Sequence, residues 1–246
     1  MSKNLHQFYY NEYFKDIDWK NVKGEDASNE IKRKNSVLTS PNLFQPIKSQ
    51  DDTHPFEESF QLEILYPGLV TGIGINHEAS IEGEFKLGIH FDWTYGMPVI
   101  YGSSVKGVLR NYFEDFYKPN EDKPSVDDAK KDIFMGNDKS IYDRDIFFDA
   151  VIVRPDKKGR ILCSDSITSH GGENHDNPLV NPNPITFLKI APGCILEFRF
   201  KLVDTVIEKE GEKTELTKKE KLELFKEILT TVGIGAKTNV GYGQLK

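Results

Sequence analysis

The chain contains only two cysteines, Cys163 and Cys194. Two thiols cannot build a disulfide scaffold or a cysteine-rich zinc site, and both are expected to be reduced and buried. Long apolar runs are also missing: none approaches the ~18 residues that a membrane span requires. The opening stretch, MSKNLHQFYYNEYF, is aromatic and polar and has no apolar signal-peptide core. A cytoplasmic protein with no membrane partner is therefore expected. Positive charge is not in excess either, with 32 Lys and Arg against 39 Asp and Glu and a net charge of −7. This argues against a protein that binds nucleic acid through its overall charge. A local basic groove stays open, and the isolated chain is expected to bind polyanions weakly. No Ser/His/acid or Cys/His arrangement can be read from spacing, although such partners meet in space rather than in sequence.

Two stretches stand out. Residues 96–116 read GMPVIYGSSVKGVLRNYFEDF. A short apolar lead-in is followed by Gly102-Ser103-Ser104, a turn with helix-capping hydroxyls. Val105, Val108, Leu109, Tyr112, Phe113 and Phe116 then recur at helical spacing, which predicts an amphipathic helix from about 104 to 117. Lys106 and Arg110 are four apart and share one flank near its start. Backbone N–H groups, hydroxyls and two cations at one helix N-terminus suit a phosphate, and equally describe a capped core helix with solvated cations.

Residues 233–246, GIGAKTNVGYGQLK, hold Gly233/Gly235 and Gly241/Gly243 around Lys237, Thr238 and Asn239. Glycines permit tight turns and close approach of a ligand to the backbone. Neither stretch is a standard nucleotide motif. No helix follows the glycines as a dinucleotide fingerprint demands, and the lysine of GSSVKG precedes the second glycine, unlike that of a P-loop.

In chain order, Tyr10, Tyr13 and Phe14 would share one face of an N-terminal docking helix. An exposed aromatic set could instead meet a neighbouring subunit. Residues 17–58 are polar with scattered prolines and read as partly irregular. Residues 60–66 and 85–93 alternate as half-buried strands, and the alternation puts His90 and Asp92 together on a solvated polar face. Residues 118–131 read as a polar surface insertion. Residues 146–153 form an apolar strand and 160–167 a short one. Residues 168–184 are a long loop. Strands at 185–190 and 195–203 flank Pro192-Gly193 as a hairpin, and 208–215 is a charged connection. Thr217 and Glu220 make a capping box for a second helix with Leu222, Phe225, Leu229 and Val232 on its apolar face. Residues 241–245 are the last strand. The order supports an α+β protein compatible with a β-α-β-β-α-β core.

Asp165, Thr168, His170, His175 and Asp176 form the densest His/Asp cluster. Its spacing matches no zinc pattern, so no metal or other cofactor is expected. A tuned acid–base pair of Asp165 and His170 and a polar loop with satisfied side chains are both open readings.

Residues 86–110 (KLGIHFDWTYGMPVIYGSSVKGVLR) and 233–243 (GIGAKTNVGYG) resemble the RAMP superfamily of CRISPR proteins. With 66–78, FFDAVIV at 147–153, DSITSH at 165–170 and NPNPITFLKIAPG at 181–193, the resemblance covers about residues 60–245. It points to the sixth-subunit family of the Cmr (type III-B) effector complex. Tyr101 and Ser169 stand where that family carries proline.

The resemblance implies a ferredoxin-like RAMP core over 59–246, with insertions around 118–145 and 154–184 and an N-terminal extension over 1–58. It implies a non-catalytic subunit that binds guide RNA near its 3′ part and caps the backbone filament in antiviral defence. The implied partners are guide CRISPR RNA, target RNA, the backbone RAMP, the small subunit and a neighbouring end-cap RAMP. The RNA-binding set it implies is Gly102, Ser103, Ser104, Lys106, Arg110, Thr168, His170, Gly233, Gly235, Lys237, Thr238, Asn239 and Gly241. The alternatives are a metal-dependent or acid–base ribonuclease using Asp165 and His170, and a purely structural end-cap.

Overall fold

Helix α1 (Leu5–Gln7) starts where the Asn4 side chain accepts a hydrogen bond from the Gln7 N–H at 2.9 Å. It widens at once into a π-turn, Phe8–Glu12. In this computed structural model, which describes residues 4–46, 58–72, 79–86, 89–136, 139–168, 184–209 and 211–246, the wider turn changes which aromatics face inward. Tyr9 and Tyr13 are buried with their rings 5.3 Å apart, and Tyr10 faces out.

Helix α2 (Glu25–Leu38) follows, within the segment expected to be irregular. Its buried stripe is Ala27, Ile31, Lys34 and Leu38. A lysine holds one apolar position, which hides the period in the sequence. The Lys34 ammonium donates to the Glu12 carbonyl at 2.8 Å and so fastens α2 to the N-terminal turn.

The remaining elements, in order, are β1 (Glu58–Glu63), β2 (Val99–Ile100), α3 (Gly102–Phe116), α4 (Val126–Met135), β3 (Ile146–Phe147) and β4 (Ala150–Arg154). Then come β5 (Leu162–Thr168), β6 (Pro184–Ile190), β7 (Ile195–Lys201), β8 (Thr205–Lys209), β9 (Glu212–Leu216) and α5 (Lys218–Val232). The polar insertion thus contains α4. Ser125 caps it, Gly136 ends it at φ 77°, and Ala129, Ile133 and Phe134 are buried. The charged connection at 208–215 is a hairpin, β8 against β9. Residues 85–93 do not form a strand among the described positions: Phe85, Ile89 and Phe91 are buried as alternation predicts, but only Phe91 bridges, to Pro98.

The main sheet runs β1-β7-β4-β2, antiparallel throughout, with β3 also on β7. Leu245 bridges Ile64 just beyond β1. Taking β1, α3, β4, β7, α5 and that last segment gives the ferredoxin-like β-α-β-β-α-β order, with the final segment beside β1 and β7 at the centre. The expected 185–203 hairpin is not formed. β6 pairs with β5 in a separate sheet, and the turn at 192–193 hands the chain across to β7. β7 buries Leu196, Phe198 and Phe200 completely, so it suits the middle of a sheet better than one arm of a free hairpin.

Phe200 lies 5.6 Å from Phe225 of α5, and Phe147 lies 5.7 Å from Phe225, so helices cover that face. Leu5, Tyr9, Tyr13, Ile31 and Leu38 belong to the same core as β7, α3 and α5.

Candidate RNA interface

Helix α3 begins at Gly102, two residues earlier in the chain than expected, and neither Ser103 nor Ser104 caps it. The Gly102 N–H instead donates to the Asp149 carboxylate at 2.7 Å. A carboxylate at this end already complements part of the helix dipole, so phosphate affinity cannot rest on the dipole alone. Gly102 is required by packing: a Cβ there would stand 2.2 Å from the Phe147 carbonyl oxygen.

The first turns of α3 separate two depressions. Ser104 and Val108 line a cleft of about 160 Å³ with Leu69, Thr71, His90, Ile100, Ile234, Gly235 and Ala236. On the neighbouring flank, Gly102, Ser103 and Lys106 line a groove of about 450 Å³ with Met135, Ile141, Arg144 and Phe147. The Lys106 ammonium sits 5.8 Å from the Phe147 ring centroid. Arg110 is exposed one helical turn further along. The fold therefore brings Ser104 and Gly235 into one cleft, and it places Lys106 in the groove beside it.

The loop after α5 uses its glycines against its own chain. A Cβ on Gly243 would lie 1.8 Å from the Ile234 carbonyl oxygen, on Gly235 2.4 Å from that of Val70, and on Gly233 2.5 Å from that of Gly243. Close approach is what the glycines allow, but at these three positions what approaches is backbone of this protein. Gly241 has more room, with Pro67 3.7 Å from its would-be Cβ. The loop pushes Lys237 outward in the left-handed region, at φ 61°. Thr238–Val240 forms a short 3-10 turn, and of the strand expected at 241–245 only Leu245 bridges, to Ile64. Lys237 and Asn239 are exposed and Thr238 is half-buried.

Tyr242 ties this loop to the β5–β6 hairpin by donating its hydroxyl to Asp165 at 2.8 Å. Asp165 also accepts from the Lys189 ammonium and from the Ser166 N–H. Burial alone would raise its pKa, but these bonds outweigh burial and hold the carboxyl below its usual range. Burial, then Asp165 itself, pushes the Tyr242 phenol up to about 12. Such a carboxylate is a structural tie and a poor general base. Thr168 ends β5 opposite Pro184. His170, His175 and Asp176 lie outside the described residues, so geometry does not address the Asp165/His170 pair. Among the described residues no group of three or more His, Cys, Asp or Glu is placed to hold a metal ion, and no helix is long and apolar enough to cross a membrane.

Two residues expected on a solvated face, and two that sequence reasoning passed over, also shape the site. Asp92 is not on a solvated face with His90: it caps the turn at 92–96, accepting from the N–H groups of Thr94 and Tyr95 at 2.8 and 2.7 Å. His90 is half-buried in the cleft wall, with its ring 4.4 Å from that of Tyr101. Burial lowers its pKa. From one later segment, Asp149 bonds the start of α3 and Arg144 lines the groove beside Lys106. Only the third dimension reveals them, since no local spacing marks either one.

The model of the RAMP superfamily matches residues 47–246, and the chain belongs to that superfamily. Within it, the chain is 32% identical over 116 residues to the CRISPR system CMR subunit Cmr6 of Saccharolobus solfataricus, covering 47% of this chain and 36% of that protein. It thus spans about a third of the length of that curated relative. A chain of the type III-B Cmr-beta complex bound to cognate target RNA, solved by cryo-electron microscopy, has a similar fold: TM-score 0.54, 22% identity, covering 76% of this chain and 57% of that one. Cmr6 from Pyrococcus furiosus aligns over 76% of this chain and 96% of its own, at 20% identity and TM-score 0.36.

Proposed function

We propose that this chain is a non-catalytic, RNA-binding subunit of a type III-B (Cmr) CRISPR complex, holding guide RNA near its 3′ part at one end of the backbone filament. The observation that carries the reading is the cleft that puts the first turn of α3 against the glycine loop, with Lys237 in the left-handed region directly after Ala236 of its lining. The likeness to Cmr6 supports the complex, and the likeness to a chain of an RNA-bound Cmr assembly supports the fold in which such a cleft works. In this reading Ser104 stands on the cleft's α3 bank, with Gly102, Ser103 and Lys106 in the groove beside it and Arg110 one turn further along. Gly233, Gly235, Lys237, Thr238, Asn239 and Gly241 form the loop bank, and Thr168 and His170 are assigned further RNA contacts. The glycines act mainly by shaping the loop, while Lys237, Thr238 and Asn239 present polar atoms to the RNA backbone. An acidic chain holds RNA through this local feature, and neighbouring subunits supply further positive surface.

The test is ultraviolet crosslinking of labelled guide RNA in the assembled complex, with crosslinked peptides mapped. Wild type is compared with Lys106→Ala/Lys237→Ala. Crosslinks near the guide 3′ end that fade in the double variant support the reading. Guide crosslinks on every other subunit and none on this one would establish a purely structural end-cap instead.

A further inference from the structure

Aromatic rings on the described surface are not scattered evenly. Trp93, His6 and Tyr10 stand in series: Trp93 lies 5.1 Å from His6 with planes 28° apart, and His6 lies 4.6 Å from Tyr10 with planes 39° apart. His90, three residues before Trp93 in the chain, packs on Tyr101 at 4.4 Å and 37° and forms part of the cleft wall shared by Ser104 and Gly235. A surface triad of rings thus stands close in the chain to a ring pair at the cleft. Trp93 is 76% exposed and Tyr10 40% exposed, and neighbouring Tyr95 is 48% exposed.

This surface is held in shape. The Asn4 amide donates to the Trp93 carbonyl at 3.2 Å, and the Leu5 N–H donates to the Gly96 carbonyl at 3.0 Å. Asp92 caps the turn that carries Trp93, and Gly96 completes it at φ 67°, where a Cβ would meet Asn4 at 2.4 Å. An aromatic left exposed by chance does not require two chain segments to be fastened together beneath it.

We infer that the Trp93–His6–Tyr10 triad, with the Tyr101–His90 pair at the cleft wall near it, is a stacking platform for unpaired bases of the RNA whose backbone runs through the cleft. This rests on the RNA-binding reading above and adds a second class of contact to it. Three features favour bases over an apolar protein segment. The rings are nearer parallel than edge-on, which leaves a π-face at the Trp93 end. Every member carries a polar ring edge, and no aliphatic side chain belongs to the series. By contrast, Met135, Ile141 and Tyr142 make a mixed aliphatic patch beside the other groove. On the sheet face turned away from the helices, polar side chains of β1 and β7 are paired with one another. There Gln61 donates to Glu197 at 3.2 Å, and Arg199 pairs with the same carboxylate. Stacking tolerates any base, so the platform would hold guide RNA without reading its sequence.

The experiment uses the complex assembled on guide RNA carrying single 5-iodouridines along its 3′ part, irradiated and mapped by peptide. The platform predicts crosslinks on Trp93, Tyr10 or Tyr101. Trp93→Leu/Tyr10→Leu should weaken guide retention about tenfold while leaving its salt dependence unchanged, because stacking displaces no counterions. Trp93→Phe, which keeps a π-face, should retain most of the affinity. Trp93 and Tyr10 are surface residues, so the folded fraction, checked by thermal melting, should not change. Crosslinks confined to the glycine loop and the start of α3 would overturn the platform and leave the RNA reading standing. Protection of Trp93 from oxidation in a complex assembled without guide RNA would assign the surface to a protein neighbour and overturn it as well. Absence of any RNA crosslink on this chain would overturn both readings.

Discussion

The glycine loop and the first turn of α3 face one another across the same cleft, but they are held by different means. On the loop side the backbone sets the shape. Gly233, Gly235 and Gly243 have positive φ, and each occupies a place where backbone of the same chain would collide with a side chain. On the α3 side, side chains from distant segments set the shape: Asp149 fixes the first N–H, and Phe147 backs Lys106. A glycine-rich motif need not have its glycines facing the ligand. Here they fold the loop so that Lys237, Thr238 and Asn239 can be presented, whereas α3 presents its hydroxyls and cations simply by being a helix.

The largest expected effect tests the loop. Gly243→Ala places a methyl group where the Ile234 carbonyl oxygen sits and forces alanine to a positive φ. It should destabilise by about 4 kcal/mol or prevent folding, measured by denaturant titration. A loss under 1 kcal/mol would mean that the loop tolerates other shapes, and the contrast with α3 would collapse.

Next is the tie that holds the loop to β5. Tyr242→Phe removes a hydrogen bond to a carboxylate and should cost about 2 kcal/mol at neutral pH. The folded Tyr242 pKa is raised from 10.0 to about 12, so its contribution is complete below pH 10 and is lost as pH rises through about 12. The folded Asp165 pKa is lowered, so its contribution is present at neutral pH and is lost as pH falls through that lowered value. Stability measured against pH should fall less steeply between pH 10 and 12 in Tyr242→Phe than in wild type. Parallel curves would show that the bond is not formed.

Gly107→Ala probes the other wall. Gly107 lies within α3, exposed, with nothing within 4 Å of a new Cβ. The change should stabilise by about 0.5–1 kcal/mol, the gain expected for replacing a helical glycine. Opposite signs for Gly107→Ala and Gly243→Ala, read as shifts in denaturation midpoint, would sharpen the comparison most directly.

The smallest effect on stability belongs to Lys237→Ala, expected within about 0.5 kcal/mol because the side chain is exposed. Its signature should appear only in RNA binding, as a fall of about 1 in the salt slope of guide retention. A change in stability without a change in slope would make Lys237 part of the loop scaffold.

The sequence carried much of this protein in plain view. Helix α3 followed from the spacing of Val105, Leu109 and Phe113, and the start of α5 followed from Thr217 and Glu220, whose reciprocal capping bonds are formed. Such features rest on neighbours three or four residues apart, which sequence displays directly. Helix α2 was hidden because the buried Lys34 breaks its apolar stripe, and α4 because a helix on a polar insertion buries only one narrow side. The β8–β9 hairpin was hidden by charge, since its exposed positions leave little alternation to read.

Of the candidate site, sequence determined which residue types were available: two glycine pairs, Lys237, the α3 hydroxyls and cations, and a surplus of aromatics near the N-terminus. Tertiary structure decided their arrangement. It turned the glycines inward, put Asp149 at the helix start, sent Lys106 to the neighbouring groove, grouped His6 and Tyr10 with Trp93, and packed Tyr101 on His90. Those placements depend on the register of β7 among its neighbours and on bonds between residues far apart in sequence, such as Asn4 to Trp93 and Tyr242 to Asp165. Local periodicity has no term for either, because the energy that fixes them is gained only when the whole core closes.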